Sequence, residues 1–262
     1  VRPPILGATV DYELGRWRAV ELANHVLEWV LDYALRRHER VHLSAGRALE
    51  LTKRAMRATF GNGGDRGVPG EILLHALCRQ FFGSDTVINK VWFKTANNDT
   101  YKGFDGVHSV HTPRGLELWL GEAKFYRRID QAIHAVIADL GGHLEADYLR
   151  SEFALVSSKI DDDHPHAGEL RRLMHPHSSL DEVFARVVVP ILLTYDSGST
   201  LAHSRVCPEY ETALEAEVRQ IWRTLNDRLD GRIPAEVRLF LVPLADKTAF
   251  EQALKAELQK WQ

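Results

Sequence analysis

Three acidic side chains and one lysine between Arg66 and Gln131 have types that could do chemistry together: Glu71, Asp105, Glu122 and Lys124. Two or three carboxylates can hold Mg²⁺, a hard cation that takes oxygen ligands and keeps several of its waters. Such an ion lowers the pKa of a bound water and neutralises charge growing on a scissile phosphate. A nearby ammonium orients or activates that water and stabilises the oxyanion. The set therefore suits metal-assisted phosphodiester hydrolysis, with Glu71, Asp105 and Glu122 as metal ligands and Lys124 serving the water. Mg²⁺ is the expected ion, and Mn²⁺ is a substitute.

These side chains need elements to bring them together. A strand from Leu116 to Phe125 puts Leu116, Leu118, Leu120, Glu122 and Lys124 on one face and Trp119, Gly121, Ala123 and Phe125 on the other. Both faces read as largely covered, so a carboxylate and an ammonium there are costly without partners or a metal. A preceding strand spans Phe104 to His111, and Thr112-Pro113-Arg114-Gly115 has proline and glycine where a tight turn wants them. Asp105-Gly106 is itself a hairpin signal. A turn there, however, would need Asn97-Asn98-Asp99-Thr100 as a strand, which is poor material. The hairpin at Thr112 to Gly115 brings Asp105 level with Glu122. Glu71 opens a helix to Phe82 that is apolar around most of its circumference and so is expected to be buried. A first strand is expected over Val87 to Thr95.

Elsewhere the periodicity predicts a long amphipathic helix over 15–38 and a second from the N-cap Ser44 to Phe60, together a docking or bracing unit. Gly61 to Gly67 misses phosphate-loop spacing and reads as a flexible connector. A helix from Ile129 to Leu140 is expected to break or bend at Gly141-Gly142 before a second helical segment to about Ser158. Asp161 to Ser179 reads as a polar loop. Val187 to Tyr195 reads as an apolar strand in which Pro190 implies a bulge or an edge. A helix from Glu209 to Leu229, a strand from Val237 to Val242 and a helix from Ala245 to Trp261 complete the chain. The plan is α/β, a mixed central β-sheet flanked by helices.

Length and composition bound the rest. A chain of 262 residues with 45% hydrophobic content fits one large domain, or one with a helical appendage. The net charge of -3 lacks the strongly basic signature of a nonspecific nucleic-acid binder, so positive charge for a nucleic acid must be local. Cys78 and Cys207 have no CxxC partner, which argues against a structural zinc or a disulfide framework. The chain opens at Val1 rather than methionine, as a trimmed start would. Without a signal-peptide pattern or an apolar run near 18 residues, a cytoplasmic protein with no membrane contact is expected.

Glu71, Asp105 and Glu122-Ala123-Lys124, in that order on helix, second strand and third strand, resemble the PD-(D/E)xK nuclease superfamily. Phe104 stands where the superfamily name has proline, which leaves the carboxylate intact. The run from Gly67 to Tyr126, with Val189-Pro190-Ile191-Leu192-Leu193-Thr194-Tyr195-Asp196-Ser197 later, is similar to the HamA family of Hachiman anti-phage nucleases. The resemblance covers most of residues 44–245. It implies a restriction-endonuclease-like core over 61–262 with an N-terminal helical region over 1–60. It also implies a DNA nuclease restrained by a superfamily-2 helicase partner of the HamB kind. Many superfamily members place a glutamine, lysine or tyrosine in the following helix, which Gln131 matches only loosely.

Blander readings exist for each residue. Glu71 alone suits the positive end of a helix, Asp105 alone suits a turn, and Glu122 with Lys124 suits a solvated pair. Their joint arrangement favours the site. Arg127, Arg128 and Lys102 are the expected nucleic-acid contacts, with Lys90 and Lys94 nearby; on an ordinary surface they would be solvating charges. His164, His166, His175 and His177 lack a zinc framework. Ser157-Ser158-Lys159 and Ser197-Gly198-Ser199 lack a nucleophile elbow. Two other readings suit the same residues: a non-catalytic DNA- or helicase-binding scaffold, and a restriction or repair nuclease of the same superfamily.

Overall fold

The computed structural model describes residues 4–41, 44–61, 67–93, 103–229, 231 and 233–261. The chain opens with β1 (Ile5–Gly7), then a small hairpin of β2 (Tyr12–Glu13) and β3 (Arg16–Trp17). Leu14 and Gly15 both have positive φ, as a two-residue hairpin turn requires. Helices α1 (Ala19–Glu28), α2 (Val30–Ala34), α3 (Arg37–Val41) and α4 (Ala45–Phe60) follow. The single helix expected over 15–38 is therefore divided: Trp29 separates α1 from α2, and Leu35 ends α2 in extended backbone. The divided helices share α5 as a neighbour, but α1 packs mainly on α13 and α2 mainly on α4.

Helix α5 (Val68–Phe82) begins three residues before the expected start, with Pro69 in its first turn. It stops at Gly83, whose φ of 60° suits glycine and whose N–H caps the Arg79 carbonyl. Next come β4 (Asp85–Asn89) and the short α6 (Lys90–Phe93). The strand expected over Val87 to Thr95 thus shifts towards the N-terminus and gives way to a helix. Lys94 and Lys102 fall outside the described residues, as does most of the Gly61 to Gly67 connector.

Strands β5 (Gly106–Thr112) and β6 (Gly115–Phe125) form the expected hairpin, pairing Thr112 with Gly115. Gly115 has a φ of 111°, a conformation open to residues without a Cβ. Helix α7 (Ile129–His143) runs through Gly141-Gly142, because the helical hydrogen bonds continue to a cap at Leu144. The expected break falls after His143, before α8 (Ala146–Ser157). The polar region over 161–179 contains α9 (Ala167–Leu173), anchored by buried Ala167 and Leu170. Then follow α10 (Leu180–Phe184), β7 (Val187–Asp196), α11 (Gly198–Ala202), α12 (Pro208–Leu229), β8 (Glu236–Leu244) and α13 (Lys247–Gln259).

The main sheet has six strands in the order β1-β8-β7-β6-β5-β4. The β1–β8, β8–β7 and β7–β6 pairs are parallel, and β6–β5 and β5–β4 are antiparallel. It is the mixed, helix-flanked sheet that the sequence implied. Pro190 sits neither at an edge nor in a bulge. It lies inside central β7, where the β6 pairing skips from Trp119–Val188 to Glu122–Ile191, so its missing N–H breaks no bond there.

Alternation sorts the sheet into two covered faces. Leu116, Leu118, Leu120, Val189, Ile191 and Leu193 pack with α7, α8, α9 and α12. Trp119, Val188, Leu192, Phe240 and Val242 pack with α1, α2, α4, α5 and α13. Close approach of α5 to β6 depends on small residues. A Cβ on Gly121 would lie 2.8 Å from Leu74 Cδ2 and 3.1 Å from the Gly106 carbonyl. That contact sets the start of α5 over the end of β6.

Candidate active site

Antiparallel register assembles the site. Asn89 pairs with Gly106, and Gly106 pairs with Gly121. One step further along, Lys90, Asp105 and Glu122 stand abreast across three neighbouring chain segments. Residues opposite one another in such a ladder share a face, here the face covered by α7. The Asp105 N–H donates to the Gly121 carbonyl at 2.9 Å, and Asp105 Oδ2 accepts from the Ala123 N–H at 2.7 Å. Asp105 is thus fixed at the rim by the strand that carries Glu122 and Lys124.

Glu71 reaches the rim from α5. The Tyr33 hydroxyl, on α2, donates to Glu71 Oε2 at 2.8 Å. The Lys90 ammonium joins the two carboxylates: it forms an ion pair with Asp105 Oδ1 and lies 3.6 Å from Glu71 Oε1. Lys124 Nζ donates to Glu122 Oε1 at 2.6 Å and pairs with Asp139 of α7. His143, one turn beyond Asp139, brings Nδ1 to 3.5 Å from Glu122 Oε2. Its ring stacks on Tyr148 and meets Phe104 edge-on. Glu71, Asp105 and Glu122 are 8%, 4% and 3% exposed, while the groups around them open into a cleft of about 760 Å³. Arg127 and Lys247 line the cleft's outer wall.

Burial raises the Asp105 pKa to about 7, with further upward pressure from Glu122 and Glu71 that the nearby Lys90 only partly offsets. Burial opposes the positive charge on Lys90, but Asp105 and Glu71 outweigh it and hold this ammonium above its ordinary value. Burial likewise opposes the charge on Lys124, and Glu122 with Asp139 reverses the effect. Lys124 is therefore a firm ammonium, suited to donate hydrogen bonds rather than to take a proton.

The donor set suits a hard divalent cation in its chemistry; among the described residues the ligand atoms within 4.8 Å of one another are those of His38, Asp161 and Asp163, so an ion here would need Glu71, Asp105 and Glu122 to draw together. Three buried carboxylates offer hard oxygen ligands, and Glu122 Oε2 is buried with His143 Nδ1 3.5 Å away. Buried carboxylates this close together are costly without positive charge beside them, a role that Lys90, Lys124 and His143 fill here and that a divalent ion would share.

Glu71, Asp105, Glu122 and Lys124 thus converge in one cleft. Arg127 lines it and is also paired with Asp196 at 3.1 Å, beside the first turn of α13. Arg128 lies on the surface and binds Asp130 at 2.6 Å. Lys102 is outside the described residues. Gln131 is exposed, and α7 presents Asp139 and His143 to the cleft in its place. The i, i+4 spacing of Asp139 and His143 was visible in the sequence, but only once α7 is carried through its two glycines. Lys90 was legible as a nearby cation, although it contacts carboxylates here.

The remaining candidates have local partners. His164 and His175 each accept a hydrogen bond from the backbone two residues on, at 3.1 and 3.2 Å. Ser197 caps α11, and Ser199 bonds Glu217. His38, Asp161 and Asp163 bring ligand atoms within 4.8 Å of one another in a partly exposed cluster, where Asp161 already pairs with Arg36.

The fold is that of an α/β protein whose mixed, helix-flanked sheet is consistent with a nuclease-like core. The HamA family model matches residues 3–258, and the chain belongs to that family. Membership makes it a component of the Hachiman defence system. No curated protein matches the chain. Among the described residues, no helix is long and apolar enough to cross a membrane.

Proposed function

We propose that this chain is a metal-dependent deoxyribonuclease, the effector subunit of a helicase-coupled antiviral system. The observation that carries the reading is the convergence of Glu71, Asp105, Glu122 and Lys124 in one cleft. Glu71, Asp105 and Glu122 would hold Mg²⁺ or Mn²⁺, which supplies a water of lowered pKa and neutralises phosphate charge when bound.

The chain's own groups do the remaining work. Lys124, kept charged by Glu122 and Asp139, donates to the attacking water or to the phosphate oxygen on which charge grows. Arg127 and Lys247 lie where a nucleic-acid backbone would enter, supplying local positive charge in a chain of net charge -3. Tyr33 orients Glu71, and Ala123 orients Asp105, so two of the ligands are held before any ion arrives. DNA as substrate and a superfamily-2 helicase as partner are supported by family membership.

The test is DNA cleavage by the isolated chain with and without Mg²⁺. Glu122→Ala and Lys124→Ala variants should remain folded and lose cleavage by on the order of a hundredfold or more. Full activity in both would overturn the reading, as would metal-independent cutting by the wild type. DNA binding without metal-stimulated cleavage, alone and with the helicase, would favour a scaffold role.

A further inference from the structure

We propose that Lys90 is the resident cation of the carboxylate site. Its ammonium fills the space between Asp105 and Glu71 that a divalent ion needs, and loading the site requires Lys90 to swing into the cleft. The inference rests on the reading of these carboxylates as metal ligands.

The position of Lys90 is built rather than incidental. The Asn89 side-chain amide donates to the Tyr33 carbonyl, and Asn89 Oδ1 accepts from the Trp92 N–H at 3.3 Å. The Trp92 indole donates to the Ala34 carbonyl at 3.0 Å. Residues on both sides of Lys90 are therefore tied to α2, the helix that also supplies Tyr33 to Glu71. The backbone is pinned, and the flexible four-carbon stem is the part free to move. The Lys90 side chain keeps 24% exposure and lines the cleft, so it has a route out.

Charge makes displacement necessary. Among the described residues, Lys90 and Lys124 are the ammonium groups touching the three buried carboxylates. Lys124 has Asp139, outside the ligand set, to hold it when Glu122 turns to an ion, whereas the carboxylates paired with Lys90 are both proposed ligands. Lys90 is bonded to Asp105 itself. A divalent ion ligated by the same carboxylate would lie within about 4 Å of that ammonium, where like charges repel strongly in a partly buried site. Released into the cleft, the ammonium is placed to meet a phosphate oxygen, turning a counter-ion of the carboxylates into a substrate contact once a metal ion is bound.

The test is calorimetric titration of the full chain with Mn²⁺. Lys90→Met should bind Mn²⁺ on the order of tenfold tighter than wild type, because its metal-free carboxylates have lost their partner. Lys90→Arg keeps the charge and should bind no tighter. Should Lys90→Met fail to fold, NMR on the wild type decides. The Lys90 side-chain ammonium signal, assigned by its loss in Lys90→Arg, should shift as Mg²⁺ saturates the site. Equal or weaker Mn²⁺ binding by folded Lys90→Met, or an unmoved Lys90 signal at saturation, overturns displacement and leaves the carboxylate site standing. No metal binding by wild type or by either variant overturns the metal reading, and the role of Lys90 falls with it.

Discussion

Asp105 is pulled two ways in the metal-free chain. Its burial and the charge on Glu122 favour the protonated form, while the Lys90 ammonium favours the anion, and the carboxyl ends near 7 rather than at its ordinary 3.8. Between those values the folded chain binds more protons than the unfolded one, so stability falls as pH rises through that window. Asp105→Asn has no such proton to lose, yet its amide oxygen can still accept from Ala123. Urea unfolding in the presence of a chelator should therefore show the variant gaining on wild type from pH about 4 to about 7. A difference that stays flat across that range would refute the assigned environment. The same electrostatics sets the role of Lys124. A side chain held charged by Glu122 and Asp139 acts as a donor, so the proposed hydrolysis would draw its base from another group.

At the scale of elements, the N-terminal helices reach into the site. Tyr33 of α2 donates to Glu71, and Asn89 and Trp92 tie the Lys90 segment to the same helix. Tyr33→Phe removes one donor without opening a cavity. It should cost about 1 kcal/mol of stability and weaken Mn²⁺ binding by roughly tenfold to a hundredfold. Unchanged Mn²⁺ affinity would show that α2 only packs. Much of this framework was legible: Ser44 marks the start of α4, the Pro-Arg turn sets the β5–β6 register, and the alternation through β6 places Glu122 and Lys124 together. Other parts were not. Ile5–Gly7 is too short for a periodic signal, and only its parallel pairing with β8 makes it a strand. Tertiary partners, not local propensity, divide α1 from α2 at Trp29. Pro190 looked like an edge marker because the gap in the β6 ladder beside it is a property of two strands, not one. His143, and the carboxylate partners of Lys90, were not legible for the same reason: the contacts join elements distant in sequence.

Across the whole molecule, one sheet carries both hydrophobic clusters, and the parallel strands β6, β7 and β8 point their carboxyl ends toward the cleft. Ligand sites in open α/β sheets gather at such ends. Arg127, Asp196 and Lys247 meet there: the Arg127 guanidinium pairs with Asp196, which accepts from the Lys247 backbone at 2.6 Å. The cleft is lined by the end of β6, by the segment leading into β5 and by helices from both layers, elements suited to ligands that must hold geometry. Its central requirement is that Glu71, Asp105 and Glu122 close on one divalent ion. Anomalous diffraction from Mn²⁺-soaked crystals tests this most directly. The account predicts a single strong peak within metal–oxygen bonding distance of Asp105 and Glu122, with the Lys90 ammonium moved away from Asp105. Crystals of cleavage-competent protein that show no peak there, or a peak bound by other residues, would contradict it.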